Sequence, residues 1–436
     1  MKKFLVCFIL CNIVVLGSQA QVTKKYYEYS SNVYYRDFVK CSEGGYLILA
    51  SSLILRVDQD GEFLWEKSIN FFGTKVQETE GGYYIAGSID NIGYLMKINK
   101  QGDSLWSRKY VDYEYAIIRY IKQLSNFDLI LSLSQHFPGS GFPDYNLIRT
   151  DSLGNIIWNQ YTVQVQTSEI VELDNNDIVV LGSDFRENQP PQFPESCWPS
   201  KIKYNSGGTM TSYLGFTEMD WAECTATVYD GENYYFATDN ENYSIFQLEN
   251  STVEWTRNYG NFNYYSICTD TNMLYLTGAF GNYNWSRMII LSITKSGDSV
   301  SIFKDSEDYV HVGEKIIIDN DNLVVLGQVR KSQNSNYCLC LTKMPISYIL
   351  TGTTEKLKND HHQFYIFPNP ATNTIYFNDF YPGKQKRVNV YNISGKLELS
   401  EKYLHNFIDV SGLNNGLYII EIFSEGEKLV AKFIKK

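Results

Sequence analysis

The chain is short of the residues that do most side-chain chemistry. It has five histidines in 436 residues, and His361, His362 and His405 lie outside the repeats described below. It has no His-Glu-x-x-His sequence, no Cys-x-x-Cys pair and no Gly-x-Ser-x-Gly turn. The common zinc and nucleophile signatures are therefore missing. The adjacent pair His361-His362 falls in a polar stretch and is read as solvated. No catalytic set, metal site or cofactor follows from the sequence. Cysteine is sparse as well. Cys7 and Cys11 fall in an apolar leader, which leaves Cys41, Cys197, Cys224, Cys268, Cys338 and Cys340. Six cysteines in so long a chain do not make a disulfide scaffold, although an oxidising compartment permits bridges. Cys197–Cys224 is the one candidate bridge. Cys338 and Cys340 are two apart on a strand and point the same way, which disfavours a bond between them.

An excess of positive charge is also absent. The net charge is −11. The leader contributes +2 and Phe367–Lys436 another +2, from nine Lys/Arg against seven Asp/Glu, so residues 21–366 carry −15. Such a surface argues against nucleic acid and against anionic lipid as partners. Beyond the leader no apolar run approaches the ~20 residues that span a bilayer. The mature chain is expected to have no transmembrane segment. Met1–Ala20 reads as an export signal: Lys2 and Lys3 are basic, Phe4–Leu16 is apolar, and Gly17-Ser18-Gln19-Ala20 supplies small residues for cleavage.

Aromatic residues, by contrast, are abundant: 35 Tyr, 24 Phe and 7 Trp. They sit in a repeat. Its clearest copy runs Gly81-Gly82-Tyr83-Tyr84-Ile85-Ala86-Gly87-Ser88, Tyr94-Leu95-Met96-Lys97-Ile98-Asn99, then Gly102 through Tyr110. The small residue closing the second strand of each copy is Ser51, Gly87, Ser132, Gly182, Thr238, Gly278 and Gly327. Their mean spacing of 46 residues is propeller spacing, and helical periodicity is absent outside the leader. The expected fold is all-β: a seven-bladed β-propeller over 21–350, with four strands per blade. Tyr26-Tyr27-Glu28-Tyr29 is expected to complete the last blade, which lacks its own fourth strand. A polar linker, 351–366, and a small C-terminal β-sandwich follow. Trp65, Trp106 and Trp158 each lie four residues after a turn glycine, and Trp255 four after Ser251. They are expected to fill the space between blades; a sugar-stacking row is the alternative. Asp58-Gln59-Asp60-Gly61-Glu62 hints at a calcium loop but falls on the repeat's own hairpin and lacks the downstream Glu.

Chain direction alternates within a blade, so one face carries short turns and the other carries variable connections. The latter include 135–144, 184–200, 213–221 and 281–287. Variable loops on a rigid scaffold usually carry recognition. Phe142, Trp198, Trp221 and Trp285 are the ligand-binding candidates there; capping of the blade tops is the structural alternative. Carboxylates are plentiful enough to leave a glycosidase pair open.

The last seventy residues contain Phe367-Pro368-Asn369-Pro370, Asn392-Ile393-Ser394-Gly395-Lys396 and Gly416-Leu417-Tyr418, and end Lys435-Lys436. This stretch resembles the C-terminal sorting domain of Bacteroidetes proteins exported by the type IX secretion system. The resemblance implies that Phe367, Pro368, Asn369, Pro370, Gly395, Gly416 and Tyr418 belong to the sorting motif. It implies the type IX machinery as partner, and passage through the periplasm to the outer-membrane surface or the medium. The repeat resembles quinoprotein-like and related secreted propellers in architecture alone, so it brings no cofactor. The reading is a secreted or cell-surface propeller that binds a glycan or protein. A polysaccharide hydrolase or lyase using propeller carboxylates, and a structural envelope protein, are the alternatives.

Overall fold

The computed structural model describes residues 22–436 except 51, 111–114, 137–143, 163–164, 187–195, 218–221, 240–243, 250, 261, 283–284, 306–309, 333–334, 352–365, 368–370, 378–385, 404–406 and 425–426. The chain divides into two compact units, Met1–Lys358 and Asn359–Lys436.

In the first unit, residues with high β propensity form antiparallel meanders. Four-stranded sheets cover residues 35–68, 72–110, 115–162, 165–215 and 224–258. A further eight-stranded sheet consists of two four-stranded meanders, 263–304 and 310–345, joined through one parallel bridge, Ser286 to Val310. The fourth strand of the last meander is Thr23–Tyr27, which pairs antiparallel with Cys338–Pro345 through Tyr26↔Cys340. An N-terminal strand thus completes the last sheet as expected, but it is Thr23–Tyr27 rather than Tyr26–Tyr29. The innermost strands touch in chain order, and Val310–Asp319 returns to Tyr35–Lys40. The arrangement is β-propeller-like. Apolar clusters fill the space between neighbouring sheets. Leu47, Leu49 and Ile54, for example, pack on Val76, Tyr83, Ile85 and Ile98.

The repeat's small residue has a structural cause where it is Gly87, Gly182, Gly278 or Gly327; the equivalent register position in the other sheets is Ala50, Leu133 and Thr238, so the expected Ser51 and Ser132 are one residue off it. Every innermost strand carries a β-bulge where it meets the second strand. The bulge pushes a carbonyl against that strand. A Cβ on Gly87 would stand 1.9 Å from Phe72 O, and one on Gly278 1.7 Å from Asn263 O.

The tryptophans also have a place. Trp65 lies where a Cβ on Gly102, the turn glycine of the next sheet, would approach it to 2.8 Å. Trp106 faces Gly154, Trp158 faces Gly208 and Trp255 faces Gly297 in the same manner. Trp158 Nε1 donates to Ser206 O at 3.2 Å and Trp255 Nε1 to Lys295 O at 3.0 Å. At the junction of the last sheet and the first, Tyr27 donates its hydroxyl to Gly61 O at 2.8 Å.

The turns before Trp65, Trp106 and Trp158, and the equivalent turn before Thr211, are Asx hairpins. Asp58, Asn99, Asp151 and Asn205 each accept from the backbone N–H two and four residues on, at 2.8–3.0 Å. A short acceptor at that point closes the turn. Asp58 is therefore occupied by backbone N–H groups, which explains the calcium-like sequence as turn chemistry. One element was not expected: the short helix Ile346–Thr351, which buries Ile349 beside Tyr275, Ile316 and Met344.

The second unit has two sheets. Ile366–Phe367, Thr374–Phe377 and Phe407–Asp409 form one. Leu397–Tyr403, Lys386–Asn392, Gly416–Ser424 and Glu427–Lys435 form the other, in that spatial order. They share an apolar core of Ile375 and Ile408 from the first sheet with Val388, Val390, Ile420, Ile422 and Phe433 from the second.

Candidate functional site

The innermost strands carry the ionisable groups of most interest. Bulge residues break strict alternation and turn an extra side chain off the sheet. They are Arg36, Thr74, Arg119, Ser168, Thr225, Tyr265 and Glu314. Three hydroxyls among them bond carbonyls. Thr74 Oγ1 donates to Ile118 O at 2.5 Å, Ser168 Oγ to Cys224 O at 3.2 Å and Thr225 Oγ1 to Ala237 O at 3.2 Å. Arg36, Arg119, Tyr265 and Glu314 are the charged or aromatic remainder.

The residues following the bulges form a charge network. Asp37 is 2% exposed. It accepts from Lys315 Nζ at 2.6 Å and from Val76 N at 3.0 Å, with Lys75 Nζ at 4.0 Å. Burial opposes its ionisation, yet the two ammoniums and the Val76 N–H hold its carboxyl below the ordinary range. Lys75 lies over the Tyr120 ring at 5.5 Å, and burial lowers its own pKa. Burial raises the Glu169 carboxyl, with Lys122, the Tyr120 hydroxyl and Lys75 opposing. Burial pushes Glu314 up to about 7, against the pull of Arg36.

At the end of these strands toward the variable connections, Arg36 stacks on Phe72 at 4.4 Å. Its Nε is buried without a hydrogen-bond partner among the described residues. Arg119 is exposed and within electrostatic range of Arg36 and Tyr145. Tyr145 donates to Gln166 Oε1 at 3.3 Å, and Gln166 Nε2 to Glu223 Oε1 at 3.2 Å. Glu223 N donates to Asp239 Oδ1 at 3.1 Å. Burial raises both carboxyls, and the Asp239 charge adds to the shift at Glu223.

On the opposite, short-turn face lies an open polar depression of about 460 Å³ lined by Lys40, Ser42, Gln59, Glu78, Asp319 and Lys343 among others. Lys40 Nζ pairs with Asp319 at 2.7 Å, Lys343 Nζ donates to Gln59 O at 3.1 Å, and Lys100 Nζ pairs with Glu78 at 2.5 Å. Its charges are therefore satisfied internally.

Of the four aromatic candidates, the structure describes the side chain of Trp198. Phe142 and Trp221 lie outside the described residues. Trp198 stands within the strand Ser196–Tyr204, opposite Asp184, and is half-buried. Its Nε1 donates to the Tyr213 hydroxyl at 3.1 Å, and Tyr213 in turn donates to Asp184. Trp285 opens a strand and pairs with Asn282. The Cys197–Cys224 bridge does not form. Both are free thiols, as are the other four. Cys224 N donates to Ser183 Oγ at 2.7 Å, while Cys197 Sγ faces Ala222 O at 3.8 Å. Burial pushes the Cys197 thiol up to about 12, which leaves it inert. Sequence reasoning missed the arginines because nothing marks a bulge within an apparently regular strand. Among the described residues no three His, Cys, Asp or Glu side chains are grouped to hold a metal.

In the second unit, Phe367 pairs with Tyr376, and Pro368, Asn369 and Pro370 lie outside the described residues. Gly395 has φ +80 in an Asx hairpin, where Asn392 Oδ1 accepts from Ser394 N at 2.9 Å and Lys396 N at 3.1 Å. Gly416 opens its strand. Tyr418 stacks on Phe433 at 5.4 Å and donates to Asn414 O at 2.8 Å. Gly395 and Tyr418 thus have structural roles within this unit.

Residues 365–436 match the family model of the secretion system C-terminal sorting domain. The tail is therefore the type IX sorting domain that its motifs resemble, and it marks export to the cell surface or the medium. No curated protein matches the chain. Among solved structures it is similar to BamB from Moraxella catarrhalis, at 7% identity and TM-score 0.43 over 70% of this chain and 83% of that one. A protein of unknown function from Bacteroides caccae has 14% identity and TM-score 0.40, over 63% and 94%. PorZ, a surface component of the type-IX secretion system of Porphyromonas gingivalis, has 10% identity and TM-score 0.34, over 94% and 70%. At these scores the architecture rests on the strand pairing above. No helix among the described residues is long and apolar enough to cross a membrane.

Proposed function

We propose that the chain is a secreted or cell-surface binding protein. A closed seven-bladed propeller is presented outside the cell, and the C-terminal β-sandwich hands it to the type IX machinery from the periplasm. Met1–Ala20 is the leader that brings it there. The match of 365–436 to the sorting family carries the export half of this reading. The ring reading is supported by the return of Val310–Asp319 to Tyr35–Lys40 and by the sheet that both ends share. The binding half is supported by the innermost strands, whose bulge residues include Arg36, Arg119, Tyr265 and Glu314. The ligand is a glycan or a protein, with Trp198, Trp285, Phe142 and Trp221 as outer contacts. Deleting 365–436 should leave the protein in the periplasm; surface delivery of that truncation would defeat the export reading. A glycan array and a protein pull-down with residues 21–358 from the periplasm test binding.

One observation favours a second reading. Glu223 and Asp239 are neighbouring carboxylates that both hold protons above their usual range, as a polysaccharide hydrolase or lyase would need. A reducing-sugar assay on acidic and neutral polysaccharides separates cleavage from binding.

A further inference from the structure

We infer that the outward face of the sorting unit's four-stranded sheet is the surface the type IX machinery grips, and that the partner there presents an apolar strip bordered by carboxylates. This rests on the export half of the function proposed above and names the surface that export uses.

The strand Gly416–Ser424 lies inside that sheet, between Lys386–Asn392 and Glu427–Lys435. Its side chains alternate between the two faces. Tyr418, Ile420 and Ile422 are buried in the core shared with the smaller sheet. Leu417, Ile419, Glu421 and Phe423 therefore point to the other side. The register sets their neighbours. Ile419 stands opposite Tyr391 on one strand and Lys432 on the other, and Tyr391 stands opposite Leu397. Leu417 stands opposite Ile434, and Glu421 opposite Val430. Leu397, Leu417, Val430 and Ile434 are 44–52% exposed. A sheet with one solvated face alternates apolar and polar residues, whereas a strand covered on both faces reads as a continuous apolar run. Leu417-Tyr418-Ile419-Ile420 is such a run, yet among the described residues of this unit the smaller sheet covers one face alone.

What covers the other face must match its charge. Arg387, Lys402, Lys428 and Lys432 stand on that side against one carboxylate, Glu421, which pairs with Lys428. Lys402 is opposite Arg387, and Lys428 is opposite Phe423. One end of the face is therefore basic, and the other, from Leu417 to Leu397, is apolar. A partner with an apolar strip and an acidic border complements both ends. The match of 365–436 to a sorting domain selects the occupant, because a sorting unit acts by being recognised. Tyr418 of the sorting motif is 6% exposed and out of a receptor's reach. Its anchoring turns Leu417 and Ile419, on either side of it, toward the partner.

The test is the distribution of the full chain between periplasm, cell surface and medium. Leu417→Thr, Ile419→Thr and Val430→Thr together should lower delivery about tenfold or more, the scale of lost central interface contacts, with the protein held in the periplasm. Threonine keeps strand propensity and these side chains lie outside the core, so the variant should fold; an unchanged melting temperature of the full-length chain checks this. Arg387→Glu with Lys402→Glu, both exposed, leaves the apolar strip intact and should lower delivery about threefold. Normal delivery of the folded threonine variant would overturn the inference; should that variant melt early, normal delivery of the charge variant would overturn it instead. In either case retention of the 365–436 deletion leaves the export reading standing, whereas delivery of that deletion defeats the export reading itself. Light scattering that finds a dimer of the full-length chain, broken by the threonine variant, would assign the face to a second copy. Co-sedimentation with phosphatidylglycerol vesicles, abolished by the same variant, would assign it to lipid. Both results would overturn the inference.

Discussion

Replacing Asp305 tests what holds the N-terminal strand Thr23–Tyr27 in the last sheet. Asp305 follows the outer strand Ser299–Lys304 and is 4% exposed. Both of its oxygens accept from Lys24 Nζ at 2.8 Å, and His311 Nδ1 also bonds it. Lys24 belongs to the N-terminal strand and stands 281 residues away in sequence. Burial alone would raise the Asp305 carboxyl, but its bonds to His311 and Lys24 hold it well below the usual carboxylate range. Removing one partner of a buried pair costs about 3–5 kcal/mol, because the other charge stays buried. Asp305→Asn keeps the shape and should therefore cost about 3 kcal/mol at pH 7. A depressed pKa gives the sign with pH: the contribution is present above the unfolded value of about 3.8 and is lost as pH falls through the lower folded value. The difference between wild type and variant should accordingly shrink toward pH 2. Urea unfolding followed by tryptophan fluorescence at pH 7, 4 and 2 reads this, and a cycle with Lys24→Met isolates the pair. A loss under about 1 kcal/mol at pH 7, or no coupling in the cycle, would refute the reasoning.

Two further tests follow from the inner strands and the hairpins. Glu314 has a raised folded pKa, so between its unfolded value of about 4.5 and about 7 the folded protein binds the additional proton. Stability should therefore fall as pH rises through that window. Glu314→Gln should remove about 1–2 kcal/mol of the decline, the shift discounted for solvent screening. Melting temperatures at pH 5 and pH 8 check this, and equal slopes for the two proteins would count against it. Gly102→Ala places a Cβ 2.8 Å from Trp65 at φ +80. It should cost about 2 kcal/mol from the left-handed backbone and the displaced ring. Denaturation with an unchanged midpoint would show that the ring moves freely.

The parts legible in the sequence are those fixed by local chemistry. The turn glycine and the tryptophan four residues later mark an Asx hairpin and its neighbour, and both are visible as residue types. The tail was legible because its glycines and aromatics sit where a left-handed turn and a stacked pair require them, as at Gly395 and Tyr418. The channel groups were not legible. Arg119 sits in Tyr115–Gln123 among Ile117, Ile118 and Ile121, and strict alternation gives no way to tell that a bulge turns it outward. The Cys197–Cys224 guess failed for a related reason. Chain neighbourhood and an oxidising compartment permit a bridge, but whether two sulfurs converge depends on registers set by two different sheets. Trp198 falls in the variable connection 184–200 of the sequence reading, yet a strand begins at Ser196.

The attachment of the N-terminal strand also follows from the pairing. Thr23–Tyr27 is only partly buried and pairs on one side, so it has little apolar area with which to offset the entropy of joining the two ends. Specific bonds supply the difference: the Lys24 ammonium on Asp305, the Tyr27 hydroxyl on Gly61 O, and Lys25 on Glu62 at 2.5 Å. Two of these three reach the first sheet's Asx hairpin rather than the strand's own sheet. The N-terminal strand therefore does for the first hairpin what each tryptophan does for the next one, and closes the series with a tyrosine where the repeat would put Trp.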